Sequence, residues 1–586
     1  MKKINTAILL FLFSVLTFAQ SGGKYKASET GEGEYLRAVI VFAQFSDDEK
    51  TNGVWQKNKL PNWAFDFIDT EVKKEYRKFT LSDYWRQMSL GKFNFIGDVY
   101  PRLVTIQSEN YYKNKRADYE EANQDVLKEI DPLVNFRKYD NWKYIPEDKS
   151  FVFDEQNGDG FVDLIIIIYR EPDKWFGGHY GAFTAISSFG KDFITNDDEI
   201  IVKGKLREKA SGITVRQGFR GKIDLLERVS HELGHYYFGY AHTNTGGVMG
   251  SDTYALSGWE RIKLGYVEPI VADKNEFEVT LDDYISTGDI LKIPIPFDDP
   301  DSENYYLVEN HQRISPYDQI ARGGELEGRH NFETKMGSGI YIWLIRRGNS
   351  FPPIVEAKTA DGSWDWELAD TIKMPKGWPE IMPIAKRVAV NRIEGTSDRS
   401  KKVVEFPSKN KWWELWHDTN VFGEYILTRD KMGDETDAFN IGYNEIFSSW
   451  SNPSSVYNEY DNISVQLVEQ KGNKIKLKVF TDKKSALELP PSKPQFLRVV
   501  KDAEAINLKW ELNIEPDIKE YEIWRKINNK EYEQLTSTKK DVFEYLDSDI
   551  QDKKNVKTII YKLRAKDESG KYSVFGDEAG IDLRKK

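Results

Sequence analysis

Residues 231–242 read HELGHYYFGYAH, which places three of the chain's seven histidines and one glutamate within a single short stretch. On an α-helix, residues four apart lie one turn apart on one face, so His231 and His235 can converge on one metal ion. Glu232 is angled away and does not join them as a ligand, but it can reach a water held by that ion. Zinc lowers the pKa of such a water to about 7, and a neighbouring carboxylate can take its proton and pass it to a leaving amine. This is the chemistry behind H-E-x-x-H, and it predicts a hydrolytic Zn2+ site with Glu232 as general base. A helix holding two histidines for packing alone does not account for the glutamate between them in so histidine-poor a chain.

A catalytic zinc needs a third protein ligand and an open fourth position. Two residues compete for that role. His242 follows Gly239, whose missing Cβ lets the chain turn back sharply toward the metal. Glu260, in LSGWERIKLG (256–265), offers a carboxylate from a second helix. The Gly turn favours His242. The usual short form of the motif has its Gly three residues beyond the second His, where Phe238 stands here, so the turn is shifted by one residue.

Around this stretch, apolar residues at helical spacing (Ile223, Leu226, Val229, Leu233, Tyr237) predict a helix from about Lys222 to Phe238. Upstream, YLRAVIVFAQFSD (35–47) reads as a buried strand. In TLSDYWRQMSLGKFNFIGDVYP (80–101), a helix with Ser82 as N-cap ends at Gly91 and is followed by a strand. A helix across residues 118–134 and a turn into the apolar run LIIIIY (164–169) complete an alternation of strands and helices. Beyond Gly265 the pattern becomes β, with YYLVENHQ (305–312), GSGIYIWLI (337–345) and KIKLKVF (474–480) between turn residues.

At 586 residues the chain is expected to form several domains. Lys2 and Lys3, the apolar run INTAILLFLFSVLTF (4–18) and the small residues Thr17 and Ala19 read as a secretory signal over 1–19, followed by a disordered lead over 20–34. A secreted protein, extracellular or periplasmic, is therefore expected, with no membrane span. The chain has no cysteine, so its stability must come from cores and metals. Formal charge is −12, or −14 once Lys2 and Lys3 leave with the signal, which argues against a nucleic-acid partner. The 16 Trp, 31 Tyr and 32 Phe suit large sheet faces and decide nothing about function.

KKSALELPPSKP, with its paired prolines, reads as a semi-rigid linker over 483–493. Beyond it, period-2 strands carry Ile506, Leu508, Trp510 and Leu512, then Tyr521 and Ile523, then Tyr561, Leu563 and Ala565, as in a small β-sandwich. This segment, 494–586, resembles a fibronectin type III domain, with Trp510 where that family's core Trp falls and YKLRAKDESGKYS (561–573) as its Tyr-bearing strand and hairpin. Such a resemblance implies a fold and no chemistry.

The region from about Tyr35 to Asp482 resembles the M6 family of secreted zinc metallopeptidases, the immune inhibitor A type. The stretches that carry the likeness are TLSDYWRQMSLGKFNFIGDVY, NGDGFVD, HELGH, GGVMG, LSGWERIKLGY, YYLVENHQ and GSGIYIWLI, in that order. The resemblance implies His231 and His235 as zinc ligands, Glu232 as catalytic base, and Met249 in a turn beneath the metal. Members often place Asp or His after a shorter turn, which leaves His242 and Glu260 both open as third ligand. Tyr254 is a candidate to assist an oxyanion, one of 31 tyrosines.

In DEQNGDGFVD, the oxygen ligands Asp154, Asn157, Asp159 and Asp163 and the interposed Gly residues read either as a Ca2+ loop or as a polar turn before a buried strand. Ile residues stand where a calcium loop carries its twelfth-position Glu. His179, His311, His330 and His417 have no partner at ligand spacing and are expected to be structural or superficial. The expected architecture is multidomain, α/β followed by β: a zincin (metzincin-like) catalytic domain over 35–270, a β-rich domain over 271–482 and an immunoglobulin-like β-sandwich over 494–586. The expected function is a monomeric zinc endopeptidase acting on protein or glycoprotein substrates. The alternative is an inactive zincin scaffold acting as a binding or adhesion protein.

Overall fold

The computed structural model describes residues 34–584 except 52, 115–118, 146, 148–149, 171–181, 184–189, 198–199, 204–211, 217–220, 240, 244–246, 251–253, 320–336, 363–364, 374–380, 389–414, 420, 422–424, 429–435, 503–504 and 551–554. The signal over 1–19 and nearly all of the lead over 20–34 lie outside the described residues. The chain divides into two compact units, Met1–Ser82 with Phe93–Ala241, and Asp83–Lys92 with His242–Lys586.

The first unit is built on a mixed sheet. Tyr35–Phe45 pairs in parallel with Asn94–Val99, with Val104–Ile106 and with Leu164–Tyr169; Gly212–Arg216 extends the parallel set, and Ala182–Phe183 closes the edge in the antiparallel sense. Every residue of Leu164–Tyr169 is buried, as an unalternating apolar run requires of a strand covered on both faces. Helix Tyr119–Ile130 contributes Ala122, Val126, Leu127 and Ile130 to one core with Val39, Val41, Ile165 and Ile167. Helix Lys222–Phe238 packs along Gly212–Arg216 and the antiparallel edge strand, with Leu225, Leu226, Val229 and Leu233 buried. Ser82 is not a cap: it is the second residue of helix Leu81–Met88, and its Oγ accepts the Asp69 N–H at 3.0 Å. Gly91 takes φ +78° as expected, and its N–H returns to the Arg86 carbonyl at 2.8 Å.

The second unit contains a five-stranded sheet in the order Ile270–Val271, Ile290–Pro294, Tyr305–His311, Gly339–Arg346, Ile354–Ala357, and a four-stranded sheet in the order Phe277–Leu281, Lys474–Phe480, Ser464–Lys471, Ile446–Phe447. Ile293, Tyr306, Val308, Ile342 and Leu344 from the first share a core with Leu281, Val465, Leu467, Ile475 and Leu477 from the second. A further four-stranded sheet runs through Asp365–Lys373, Ile381–Val388, Leu415–Thr419 and Tyr425–Thr428.

The division of the two compact units falls at Ala241, and helix Gly258–Lys263 is bonded into the second unit. The buried Arg261 guanidinium donates to the carbonyls of Met88, Tyr284 and Ile285, and the Gly258 N–H donates to Glu309 Oε1 at 2.9 Å. The stretch read as the start of the linker carries local structure. Asp482 caps a one-turn helix, Lys483–Ala486, and Ala486 and Leu489 are buried against Ile446 and Phe480.

After it, Arg498–Asp502, Ala505–Lys509 and Glu544–Asp547 form one sheet, and Glu533–Lys539, Ile518–Ile527, Thr558–Asp567 and Ala579–Asp582 form the other. Three strands facing four in this order make a fibronectin type III-like β-sandwich. Its core is Ile506, Leu508, Trp510, Tyr521, Ile523, Tyr561, Leu563 and Ala565, with Leu512 half-buried at the margin. Trp510 meets Tyr521 edge-on at 5.8 Å between ring centroids.

Candidate metal centre

The apolar face of helix Lys222–Phe238 locks the rotation of the helix, and so decides where residues 231, 232 and 235 point. His231, Glu232 and His235 are 8%, 4% and 6% exposed, and the two imidazole rings lie 4.9 Å apart between centroids and nearly perpendicular. The helix runs one residue further than the short form of the motif allows, through Phe238, and stops at Gly239.

Gly239 has φ +89° and ψ −169°, a backbone region that is essentially closed to residues with a Cβ. This conformation does two things. The Gly239 N–H closes the helix on the His235 carbonyl at 3.0 Å, and the Gly239 carbonyl turns back to accept from His235 Nδ1 at 2.7 Å. With Nδ1 carrying the proton, the lone pair of His235 resides on Nε2, the nitrogen that would take a metal.

The unit boundary falls within this contiguous stretch, between Ala241 and His242. Ligand atoms of His231, His235 and His242 all lie within 4.8 Å of one another, His242 being exposed and the other two buried. Nitrogens at roughly 2.0–2.1 Å from a tetrahedral zinc are roughly 3.4 Å apart, so at most about 1.5 Å of closure is needed, within reach of one exposed imidazole. Three neutral imidazoles with one position left for water are a donor set that suits zinc. The shifted turn therefore still returns a histidine to the pair.

Replacing Gly239 by Ala tests that turn. The added Cβ meets open space, so the cost is backbone strain alone, of about 1–3 kcal/mol. Relaxing it also removes the carbonyl that orients His235. Zinc affinity, measured against a competing chelator, is expected to fall about 10- to 100-fold. An unaltered affinity would show that the turn is not what aligns these ligands.

Glu260 does not join the cluster. It is fully buried, and its carboxylate accepts three backbone N–H groups: Met249 at 2.7 Å on Oε1, Val248 at 3.2 Å and Ser257 at 2.7 Å on Oε2. Burial pushes its carboxyl up to about 7, against those three bonds, which hold it down. A capping box with Ser257 explains why this glutamate stands third in its helix, and S-x-x-E at 257–260 is a signal legible in the sequence. Met249 and Tyr254 are both buried, at 0% and 1% exposure.

The acidic loop is held by backbone contacts. Asp163 Oδ2 accepts the N–H groups of Asn141 and Trp142 at 2.6 and 3.1 Å, Asp159 those of Tyr144 and Phe161 at 3.1 and 3.2 Å, and Asp154 those of Gln156 and Asn157 at 3.2 and 3.0 Å. Asp140, which the pattern does not single out, accepts from Asp159 and Gly160 at 3.0 and 2.9 Å. These carboxylates satisfy backbone N–H groups on both sides of the turn. His179 and His330 lie outside the described residues, as does the side chain of His417. His311 is buried between two carboxylates in the second unit.

No protein-family profile matches the chain, and no curated protein matches it. Solved structures similar to parts of it include an Fn3-like protein from Clostridium thermocellum, at 20% identity over 16% of this chain and 94% of that one, with a TM-score of 0.14. The FN3 domain of human collagen XX is 13% identical over 16% of this chain and 92% of that one, TM-score 0.14. The pectate lyase Pel3 from Pectobacterium carotovorum is 12% identical over 14% of this chain, TM-score 0.13. The chain spans about a quarter of the length of the pectate lyases it matches. The sandwich assignment over 494–586 rests on strand order and core, not on these scores. No helix among the described residues is long and apolar enough to cross a membrane.

Proposed function

We propose that this chain is an exported zinc endopeptidase of the M6 type, which hydrolyses peptide bonds of protein substrates with Glu232 as general base. The observation that carries the reading is the convergence of His231, His235 and His242 within 4.8 Å, next to a glutamate on the same helix. Zinc, when bound, supplies Lewis acidity and a water acidic enough to be deprotonated near pH 7. The chain's own residues do the rest. His235 is held in one tautomer by the Gly239 carbonyl. Glu232 receives the proton of the attacking water on its carboxylate and delivers it to the leaving amine.

The test is metal removal and return. Purified protein is expected to cleave a denatured protein substrate, to lose that activity on dialysis against a chelator, and to regain it with stoichiometric zinc. Protein that holds zinc yet hydrolyses no member of a diverse peptide library would instead support a binding role for the same scaffold.

A further inference from the structure

The segment that carries His242 is held at both ends. On the N-terminal side, Gly239 and His235 exchange two hydrogen bonds. On the C-terminal side, five residues beyond His242, the chain enters the one-turn helix Gly247–Gly250, whose leading N–H groups have no partners within so short a helix. Glu260 supplies them, with one carboxylate capping two helices at once: Val248 and Met249 of the short helix, and Ser257 at the start of its own. Gly247 is shaped for this contact. It takes φ +74°, and a Cβ there would stand 2.1 Å from Glu260 Oε2.

We propose that Glu260 is a positioning residue for the third metal ligand: by gripping Val248 and Met249 it fixes the far end of the arm that presents His242. The inference rests on the zinc reading of the histidine cluster. It also explains a glutamate at this place without making it a ligand. His242 is exposed, so a free arm would lose conformational entropy when its imidazole is captured, and a pinned arm loses less.

The experiment is a zinc titration of the full chain against a competing chelator, with Co2+ substituted in parallel so that ligand geometry is read from the absorption spectrum. Glu260→Gln keeps the shape of the side chain but replaces one acceptor oxygen with an amide that cannot accept. It is expected to raise the zinc dissociation constant about 10- to 100-fold and to alter the Co2+ spectrum in the same direction as His242→Ala. Glu260→Asp keeps the charge and shortens the reach by one methylene, and should act alike; it provides the same reading if the amide variant does not fold. Ser257→Ala removes the Ser257 Oγ that accepts the Glu260 N–H, and leaves the grip on Val248 and Met249 intact. It is expected to lower thermal stability with zinc affinity unchanged. Unchanged zinc affinity in both Glu260 variants, or an equal loss in Ser257→Ala, would overturn the positioning role and leave the zinc reading standing. A wild-type chain that binds no zinc would overturn both.

Discussion

Glu232→Gln is expected to bind zinc with unchanged stoichiometry, to fold as the wild type does, and to lose peptide hydrolysis by about 10²–10⁴-fold in kcat. Leu225, Leu226, Val229 and Leu233 are each 1% exposed or less, so the orientation of Glu232 is set by packing that the amide does not disturb. Gln occupies the same volume, and the positions of His231 and His235 one residue before and three after are untouched. What the amide lacks is a site that can hold a proton in transit. Zinc binding and proton transfer therefore separate, which a collapse of the fold would not allow.

Hydrolysis retained at wild-type rate by Glu232→Gln would remove Glu232 from the mechanism.

Much of this could be read from residue pattern. Helix Lys222–Phe238 follows from the 3.6-residue spacing of its apolar positions, and the sandwich core around Trp510 follows from period-2 alternation, because both are local consequences of burying one face. The points that could not be read were decided by segments distant in sequence. Asp, Asn and Gly at 154–163 suit a calcium loop and a backbone-capping turn equally well, and the pattern does not reveal that Asn141, Trp142 and Tyr144 bring their N–H groups to Asp159 and Asp163. Spacing alone leaves Glu260 open as a ligand, and only the approach of Gly247, Val248 and Met249 shows its carboxylate engaged. Whether His242 returns to the pair depends on the ψ of Gly239, which no pattern of residue types encodes.

His311 poses the same problem in its sharpest form, and its removal is expected to have the largest effect on stability. The sequence offers it no partner at ligand spacing and suggests a structural or surface role; in the fold Nδ1 lies 3.0 Å from Asp318 Oδ1 and Nε2 3.0 Å from Glu309 Oε2, with the Tyr284 ring stacked at 4.0 Å. An imidazole facing a carboxylate at each nitrogen donates at both only as the cation. Arg313 adds a second cation, bonded to Asp318 at 2.6 Å and to the Tyr341 hydroxyl at 2.9 Å. Glu309 also accepts from Trp343 Nε1 at 3.1 Å and from the Gly258 N–H, so the cluster ties the five-stranded sheet to the helix that carries Glu260.

His311→Gln thus removes one cation from a buried cell in which His311 and Arg313 face Asp318 and Glu309, with Arg261 and Asp283 close by. Breaking a buried pair from one side costs about 3–5 kcal/mol, which at about 2 cal/mol/K of unfolding entropy per residue lowers the thermal midpoint of a unit this size by roughly 4–7 °C. The pH dependence follows from the same charges. Burial disfavours the imidazolium, but Asp318 and Glu309 outweigh it, so the pKa of His311 is raised above 6.5. A raised folded-state pKa means that the stabilisation is complete below the unfolded value of 6.5 and is lost as pH rises through the folded one. The wild-type midpoint should therefore fall as pH is raised above that point, while His311→Gln, already low, should stay flat over the same window. Adding Asp318→Asn to His311→Gln removes one of the facing anions and should recover part of the loss. Parallel pH profiles for wild type and His311→Gln would mean that the imidazole is neutral in the folded protein, and its pairing as a cation would be wrong.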